Sequence, residues 1–299
     1  MKIKGLLLFT LLAAGACDPI EDKSWYDNEQ ISLVWTTANP ETGFRPSDVS
    51  MFYVCYYPQD MSADQARKDY VCNQDLVSFP VETGRYDLLA ITSSDCVVKD
   101  KYYRSARIEF ETEIDSLQNR VIVSGGDEML YKGYMSNIAV NEKQKQTRKI
   151  IMKRLLKKIT YIVRIFDYKE LTGKVHVSIS GMATKMLLFN EKLDADSQAI
   201  MATDIDKLGK GAETELGVHT TYKGSVYVLG VAGNNVLDIS YVDSRGQQKK
   251  MQIDATSYLK SWDTDEAVIS ISVNSTQQTT VIDRWDSVSS DIVINNEDV

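Results

Sequence analysis

Side chains of the types that most often do chemistry are few and scattered in this sequence. The two histidines, His176 and His219, have no second histidine or cysteine at the spacing of a zinc site. No G-x-S-x-G segment supplies an activated serine. The glycines at 209 and 211 lack the further glycine and the preceding strand of a dinucleotide-binding loop. We therefore predict a non-enzymatic protein without catalytic residues, metal or cofactor, and a solvated strand face for His176.

Two acidic clusters resemble carboxylate sites but lack essential parts of them. The segment that starts at Asp194 begins like a calcium loop, yet Ala199 stands where that loop needs glycine and Ile205 where it needs glutamate. Asp263, Asp265 and Glu266 could form a carboxylate pair, but an acidic turn between two strands explains them better. Neither cluster is a candidate site.

The N-terminus is the segment that predicts a covalent modification. Two lysines precede an apolar run from Leu6 to Ala14, which is the pattern of a secretory signal. The run ends in AGAC, which resembles a bacterial lipobox with Ala14 where leucine is usual. We predict a leader at 1–16, cleavage between Ala16 and Cys17, lipid on Cys17 and a tether at 17–29. The alternative is an ordinary signal peptide followed by an incidental cysteine.

A lipid on Cys17 would hold the protein on a membrane, because full acylation supplies more than one acyl chain. Acidic residues follow at Asp18, Glu21 and Asp22. This segment resembles the tether of Bacteroidetes-type lipoproteins that are displayed outside the outer membrane. We therefore expect a lipid-anchored protein at the cell surface. No later stretch is long and apolar enough to cross a bilayer as a helix.

The remaining cysteines leave the disulfide state open. Cys55, Cys72 and Cys96 are three thiols, so at least one stays unpaired within the chain. We expect no disulfide, and Cys72 with Cys96 is the preferred pair if one forms.

Composition bears on the class of partner. The chain has 299 residues, a formal net charge of -8 and a pI of about 5.0. This excess of negative charge argues against a nucleic-acid partner, because neutralisation of phosphates supplies most of the affinity of nucleic-acid binders. The basic cluster between Lys143 and Lys158 is expected on solvated strand faces. A contact with acidic headgroups or with the acidic face of a partner is the alternative.

Hydrophobic periodicity predicts short strands separated by turns, without alternating helices. This pattern is typical of β-sandwiches. We predict an all-β protein with one sandwich at 30–155 and a second at 156–299. Between Glu191 and Leu216 the sequence is polar, and we expect a loop there that could include a short helix.

The segment from Arg148 to Asp167, RKIIMKRLLKKITYIVRIFD, allows two interpretations. As a helix it would be basic and amphipathic, of the kind that binds membranes or partner grooves. Its second half is β-branched and aromatic and alternates in polarity, which favours strands. We predict two strands, with the chain leaving one sandwich near Arg154 and entering the next near Lys158.

Several segments together resemble a known family. They are FPVETGRYDLLAITSSD (79–95), MLYKGYMSNIAVN (129–141), the paired strands of 148–167, VSISGMA (177–183), GSVYVLGVAGNNVLDISYVDSRGQQKKMQIDATSYL (224–259) and VIDRWDSVSSDIVI (281–294). With the lipobox, they resemble the fimbrillin-associated anchor and accessory lipoproteins of Bacteroidales, the FimB-type and minor-fimbrium anchor proteins. The resemblance implies two tandem transthyretin-like β-sandwich domains on an outer-membrane lipid anchor. It further implies cell adhesion, through anchoring or assembly of fimbriae whose subunits join by donor-strand exchange.

An alternative function is a surface glycan-binding lipoprotein of a polysaccharide-uptake system. Such a protein would use exposed aromatic side chains, for which the candidates are Trp25, Trp35, Trp262 and Trp285.

Overall fold

The regular secondary structure of the described residues is almost entirely β-strand. The computed structural model describes residues 30–37, 52–59, 68–72, 76–92, 97–101, 103–115, 120–123, 130–141, 145–214 and 217–288. Within these ranges the only helix is a single turn. The prediction of an all-β protein is confirmed.

The first half of the chain contributes eleven strands within the described ranges. They are β1 (Gln30–Thr37), β2 (Phe52–Pro58), β3 (Lys68–Cys72), β4 (Leu76–Pro80), β5 (Gly84–Thr92), β6 (Val97–Lys99), β7 (Arg107–Glu109), β8 (Thr112–Asp115), β9 (Arg120–Val123), β10 (Tyr131–Val140) and β11 (Lys145–Arg154). The second half is built from longer strands and the helical turn. They are β12 (Lys157–Asp167), β13 (Val175–Ala183), β14 (Lys185–Leu187), β15 (Gln198–Thr214), β16 (Gly217–Val228), β17 (Val236–Val242), β18 (Gln248–Asp254), α1 (Thr256–Leu259), β19 (Glu266–Asn274) and β20 (Thr279–Val288).

A seven-stranded sheet occupies the first half, in the order β3-β2-β5-β10-β11-β1-β4. The sheet folds over where β10 meets β11, since only two residue pairs join these strands. Gly133 makes this fold possible: a Cβ there would lie 2.7 Å from the side chains of Ile150 and Met152. Those two side chains pack against residues of β2 and β5 in one buried cluster. The two parts of the sheet therefore face each other across an apolar core.

A larger sheet in the second half follows the order β18-β17-β13-β15-β16-β12-β19-β20. β15 is shared: its first part pairs with β13 up to Ile205, and its second part pairs with β16 from Asp206 onward. Gly224 on β16 lies at this change of partner. A Cβ on Gly224 would come within 2.4 Å of the Ile205 Cγ2 atom, so the close crossing requires glycine.

Strands from the first half also pair with strands from the second. β7 pairs with β14 in a small sheet of order β14-β7-β6, and β9 runs parallel to β15. One hydrophobic cluster includes Tyr57, Leu89 and Ile108 together with Ile159 and Leu188. The halves thus share a core, and the division of the chain at residue 155 into two transthyretin-like domains stays a prediction.

The basic segment at 148–167 is two strands, as predicted, and the helical interpretation is wrong. β11 ends at Arg154 and β12 begins at Lys157, with Leu155 and Leu156 buried between them. In β12 every second residue from Ile159 to Asp167 is buried. Burial with a period of two fits a strand and cannot be met by one face of a helix.

The expectation of a loop at 191–216 is wrong, because most of this segment is β15. Ala199, Met201 and Ile205 are buried and alternate with more exposed residues, which is the pattern of a strand with one buried face. Beyond Ile205 the strand pairs on one side only within the described residues, and its register shifts after Lys207 and after Lys210. A bulged edge needs few apolar residues, so the sequence of this part resembles a loop.

Candidate functional site

The predicted site residues lie largely outside the described part of the chain. Ala16 and Cys17 fall there, as does Trp25, so the cleavage and lipidation sites remain predictions. A disulfide between Cys72 and Cys96 also remains a prediction, because the structure does not describe both side chains. Cys55 is buried in β2.

The histidines take structural positions. His176 is exposed on β13 as predicted, and its Nδ1 atom lies 3.0 Å from the Asp204 carboxylate. The His219 ring packs against Phe166 with the ring centroids 5.2 Å apart. Among the residues that the structure describes, no three His, Cys, Asp or Glu side chains are grouped in a way that could hold a metal ion.

A cleft of about 1150 Å³ opens beside the junction of β11 and β12. Three segments form it: the junction itself, the 229–235 loop between β16 and β17, and the 256–266 segment, which runs from α1 to the first residue of β19. Side chains of residues 191 and 193 complete one wall. The cleft is therefore assembled from parts of the chain that are far apart in sequence.

Backbone hydrogen bonds hold these segments in place. The 229–235 loop is fixed because the N–H groups of Ala232 and Gly233 both donate to the Gly181 carbonyl, at 2.8 and 3.0 Å. Gly181 has a φ of +73° and its missing Cβ would clash with the Asn234 carbonyl, so this position requires glycine. The opposite wall is fixed by the Lys158 N–H, which donates to the Asp265 carbonyl at 2.8 Å.

The cleft is lined by charged side chains of both signs in equal number. The basic ones are Lys153, Arg154, Lys157 and Lys260, and the acidic ones are Glu191, Asp263, Asp265 and Glu266. Some are paired, since Arg154 donates to Glu266 at 3.1 Å and the buried Lys132 nearby donates to Glu191 at 2.7 Å. The charges of the lining side chains thus balance.

Trp262 forms part of the wall and is buried, with 8% of its surface exposed. The Lys157 Nζ atom lies 5.0 Å from the centre of its ring and donates to its backbone carbonyl. Burial lowers the pKa of Lys157, while Asp265 and Asp263 oppose this shift. The expectation that Trp262 is an exposed aromatic platform is wrong, because Lys157 and the cleft wall cover it. The side chains of Trp35 and Trp285 lie outside what the structure describes.

Two polar atoms in the cleft wall are buried without a partner among the described residues. They are the Trp262 Nε1 donor and the Asn235 Oδ1 acceptor. Asn235 is otherwise firmly held: its Nδ2 atom donates to the Ser180 carbonyl at 2.8 Å, and its N–H donates to Thr256. Sequence reasoning did not identify these two atoms, because the cleft wall is assembled from segments that are far apart in the chain.

The sheet edges are the second surface that could bind a partner. The large sheet ends at β18 and β20, and the seven-stranded sheet ends at β3 and β4. β20 is the longest of these four strands, with ten residues. Among the described residues the second part of β15 also pairs on one side only, but its bulges make it a poor template for another strand.

In the described ranges, we find no helix with the length and apolar character needed to span a membrane.

Comparison with known proteins gives matches in structure only. No protein-family model and no curated protein sequence matches the chain. A candidate adhesin from Bacteroides ovatus matches with a TM-score of 0.57 at 13% identity, over 79% of this chain and 85% of that one. A candidate adhesin from Bacteroides thetaiotaomicron matches with a TM-score of 0.57 at 11% identity, over 86% and 95%. The fimbrial anchor protein Mfa2 from Porphyromonas gingivalis matches with a TM-score of 0.51 at 11% identity, over 87% and 97%. The chain therefore shares the fold of these three proteins across most of its length.

Proposed function

We propose that the protein is a non-enzymatic lipoprotein of the cell surface that anchors fimbriae or assists their assembly. The observation that carries this proposal is the shared fold, which extends over 97% of the fimbrial anchor protein Mfa2. The two similar adhesins support a role in adhesion. The lipobox-like segment before Cys17 supplies the means of attachment to the outer membrane.

The tether sets the distance between the lipid and the folded part. It runs from Cys17 to residue 29, and β1 begins at Gln30. At about 3.5 Å for each extended residue, the tether reaches roughly 45 Å. That length is comparable to the thickness of a bilayer including its headgroups, so the folded part can stand clear of the membrane surface.

A fimbrial subunit would join by donor-strand exchange at a sheet edge. In this mode backbone hydrogen bonds supply affinity, and pockets for alternate side chains supply register. We favour β20 among the end strands, because it is the longest of them and pairs with β19 from Thr279 to Val288 on its other side, with a single register shift at Asp283. The bulged part of β15 is unsuited to it for the reason given above.

Replacement of Cys17 by alanine tests the lipid anchor. We expect the Cys17→Ala protein to leave the membrane fraction of the cell, because no acyl chain can then be attached. Ala14→Leu is the matched control, since it restores the usual lipobox residue and should leave the protein membrane-bound. A Cys17→Ala protein that stays in the outer membrane would contradict the anchor.

Purification from the cell surface tests the fimbrial role separately. The native protein, crosslinked on intact cells and purified through a C-terminal tag, should bring fimbrial subunits with it. Recovery of components of a glycan-uptake system, without any fimbrial subunit, would instead support the alternative function.

A further inference from the structure

The fold leaves part of the basic cluster between Lys143 and Lys158 without a partner in the protein. Two members are engaged, since Arg154 donates to Glu266 and Lys157 lies over the ring of Trp262. Three members with exposed side chains lie on β11, namely Arg148, Lys149 and Lys153. Within the described part of the chain, none of these three forms an ion pair. Their charges are therefore available to an external anionic group.

The exposed face of β11 combines these charges with an apolar side chain. Lys149, Ile151 and Lys153 are exposed, whereas Ile150 and Met152 between them are buried. The three exposed side chains thus stand on one face of the strand. Ile151 is 52% exposed. The same combination of apolar and basic side chains lets amphipathic helices bind in the headgroup region of anionic membranes.

The strands next to this face carry no opposing charge. β11, β1 and β4 are consecutive in the seven-stranded sheet. Together they contain five Lys and Arg residues, all on β11, and no Asp or Glu. The whole chain, in contrast, has a net charge of -8. Positive charge is therefore concentrated at this end of the sheet, where it attracts an anionic surface.

The tether brings this face within reach of the membrane. β1 begins at Gln30, directly after the tether, and Gln30 pairs with Lys145 at the start of β11. At about 3.3 Å for each residue of a parallel strand, Lys153 lies roughly 26 Å along β11 from that point. The extended tether reaches roughly 45 Å. The whole face can therefore lie on the membrane while the lipid stays inserted.

We propose that the exposed face of β11 docks on phosphate-bearing lipid headgroups of the membrane that holds the anchor. Arg148, Lys149 and Lys153 contact phosphate groups, and Ile151 lies against the upper part of the acyl chains. The inference rests on the proposed lipid anchor, and it adds to that proposal a fixed orientation of the protein on the membrane.

Attachment through the lipid makes a weak contact effective. One basic side chain near an anionic surface strengthens binding about fivefold. Three of them give on the order of a hundredfold. That gain is too small to hold a free protein on a membrane, but it orients one that a tether keeps at high local concentration.

An acidic face of a partner protein fits this surface less well. The basic face lies beside β1, where the tether ends, so the membrane is the anionic surface that the anchor keeps close to it. The proposed site for a fimbrial subunit is β20, at an edge of the other sheet.

Lysine labelling of the native protein provides the test. The protein is purified from cells in detergent and reconstituted on two kinds of vesicle. One is phosphatidylcholine alone, and in the other one third of the lipid is phosphatidylglycerol. An amine-reactive reagent is added, and mass spectrometry gives the labelling rate of each lysine. Lys174 is the internal reference, since its side chain is 69% exposed and it precedes β13 in the second half of the chain.

We expect Lys149 and Lys153 to be labelled several-fold more slowly on the anionic vesicles, and Lys174 to be labelled equally fast on both. At an ionic strength of about 1 M the Debye length is only about 3 Å. Most of the difference should then disappear, because the attraction to phosphate groups is screened.

Two variants locate the contact and keep both reporter lysines. Arg148→Gln removes one exposed charge and should weaken docking about fivefold. Ile151→Ser removes the exposed apolar side chain and should weaken docking as well. Lys223→Gln is the matched control, because it removes one positive charge from an exposed position on β16 in the other sheet.

Equal labelling of Lys149 and Lys153 on the two vesicles would overturn the proposal, as would unchanged protection in the Arg148→Gln variant. Protection on intact fimbriated cells but on neither vesicle would assign the face to a protein partner instead. Recovery with the phosphatidylcholine vesicles reports the lipid anchor separately. A protein that is recovered there but shows equal labelling refutes docking alone, whereas a protein that is not recovered refutes the anchor and docking together.

Discussion

Tension applied to the start of β1 reaches the rest of the protein through a parallel ladder. β1 pairs with β11 at eight positions, from Gln30 with Lys145 to Thr37 with Met152. With lipid on Cys17, as proposed, a pull on the protein would enter at Gln30. It would leave through the far end of β11 toward the second half of the chain. The strands would then slide along each other, so that all paired positions bear the load together.

The direction of pulling should therefore decide the mechanical strength. A handle on the exposed Lys153, at the far end of β11, loads the ladder in shear. A handle on the exposed Asn141, before β11, lies at the same end as Gln30 and peels the pairs apart one by one. At about 1 kcal/mol net for each hydrogen bond, peeling opposes about 1 kcal/mol per step. Shear opposes on the order of 8 kcal/mol at once for the eight positions.

Single-molecule force spectroscopy measures this difference directly. One handle is placed at the N-terminus of the tether and the other at residue 153 or 141, at one loading rate. We expect a rupture force several-fold higher with the handle at 153. The antiparallel ladder between β1 and β4 is present in both geometries and serves as an internal control. Equal rupture forces, or a higher force with the handle at 141, would refute the shear argument.

Two further predictions concern stability. Gly224→Ala should lower the free energy of unfolding by about 1–3 kcal/mol, because the added methyl group overlaps Ile205. In the control variant Gly209→Ala the new atom has nothing within 4 Å, so stability should change by no more than about 1 kcal/mol. Urea unfolding of both variants measures the two free energies of unfolding. Equal losses of unfolding free energy in the two variants would contradict the role of Gly224. Burial raises the pKa of the buried Asp87, but hydrogen bonds, the strongest from Arg104, outweigh it and hold the pKa below its ordinary value of 3.8. Asp87 therefore stabilises the fold above that pH and loses this effect as the pH falls through the lowered pKa. Asp87→Asn should cost about 1–3 kcal/mol at pH 7, and a cost that does not shrink as the pH is lowered progressively below 3.8 would count against this assignment.

The sequence predicted those parts of the fold that depend on local pattern. In β12, Ile159, Tyr161, Val163 and Ile165 alternate with more exposed residues, and the alternation alone indicates a strand. The same reasoning placed His176 on a solvated face. These positions are predictable because a half-buried strand needs apolar and polar residues to alternate. That alternation is visible in the sequence whichever element packs against the buried face.

Features that depend on distant partners were not predictable in this way. β15 resembles a loop in sequence because its second part is bulged and, among the described residues, pairs on one side only, and strand pairing is a property of the whole sheet. Trp262 was expected at the surface because nothing near it in sequence shows that Lys157 covers it. The cleft is a further case, since Asn235 and Trp262 are held in its wall by strands that the sequence does not place relative to each other.

The two buried leucines at the β11–β12 junction are a local sequence pattern that also indicates a feature formed by distant parts of the chain. Leu155 and Leu156 interrupt the alternation of the flanking strands, and both are buried. A continuous strand would turn one of two consecutive side chains toward each face, so two buried neighbours indicate that the chain passes between two apolar layers. The same passage separates β11, in one sheet, from β12, in the other. The cleft opens beside this point. The two sheets are joined here by a link of only two residues, which leaves a gap between them. Loops from elsewhere in the chain form the walls of that gap. A consecutive apolar pair between two alternating segments is therefore a sequence sign of a change of sheet, and of a place where a cleft can form.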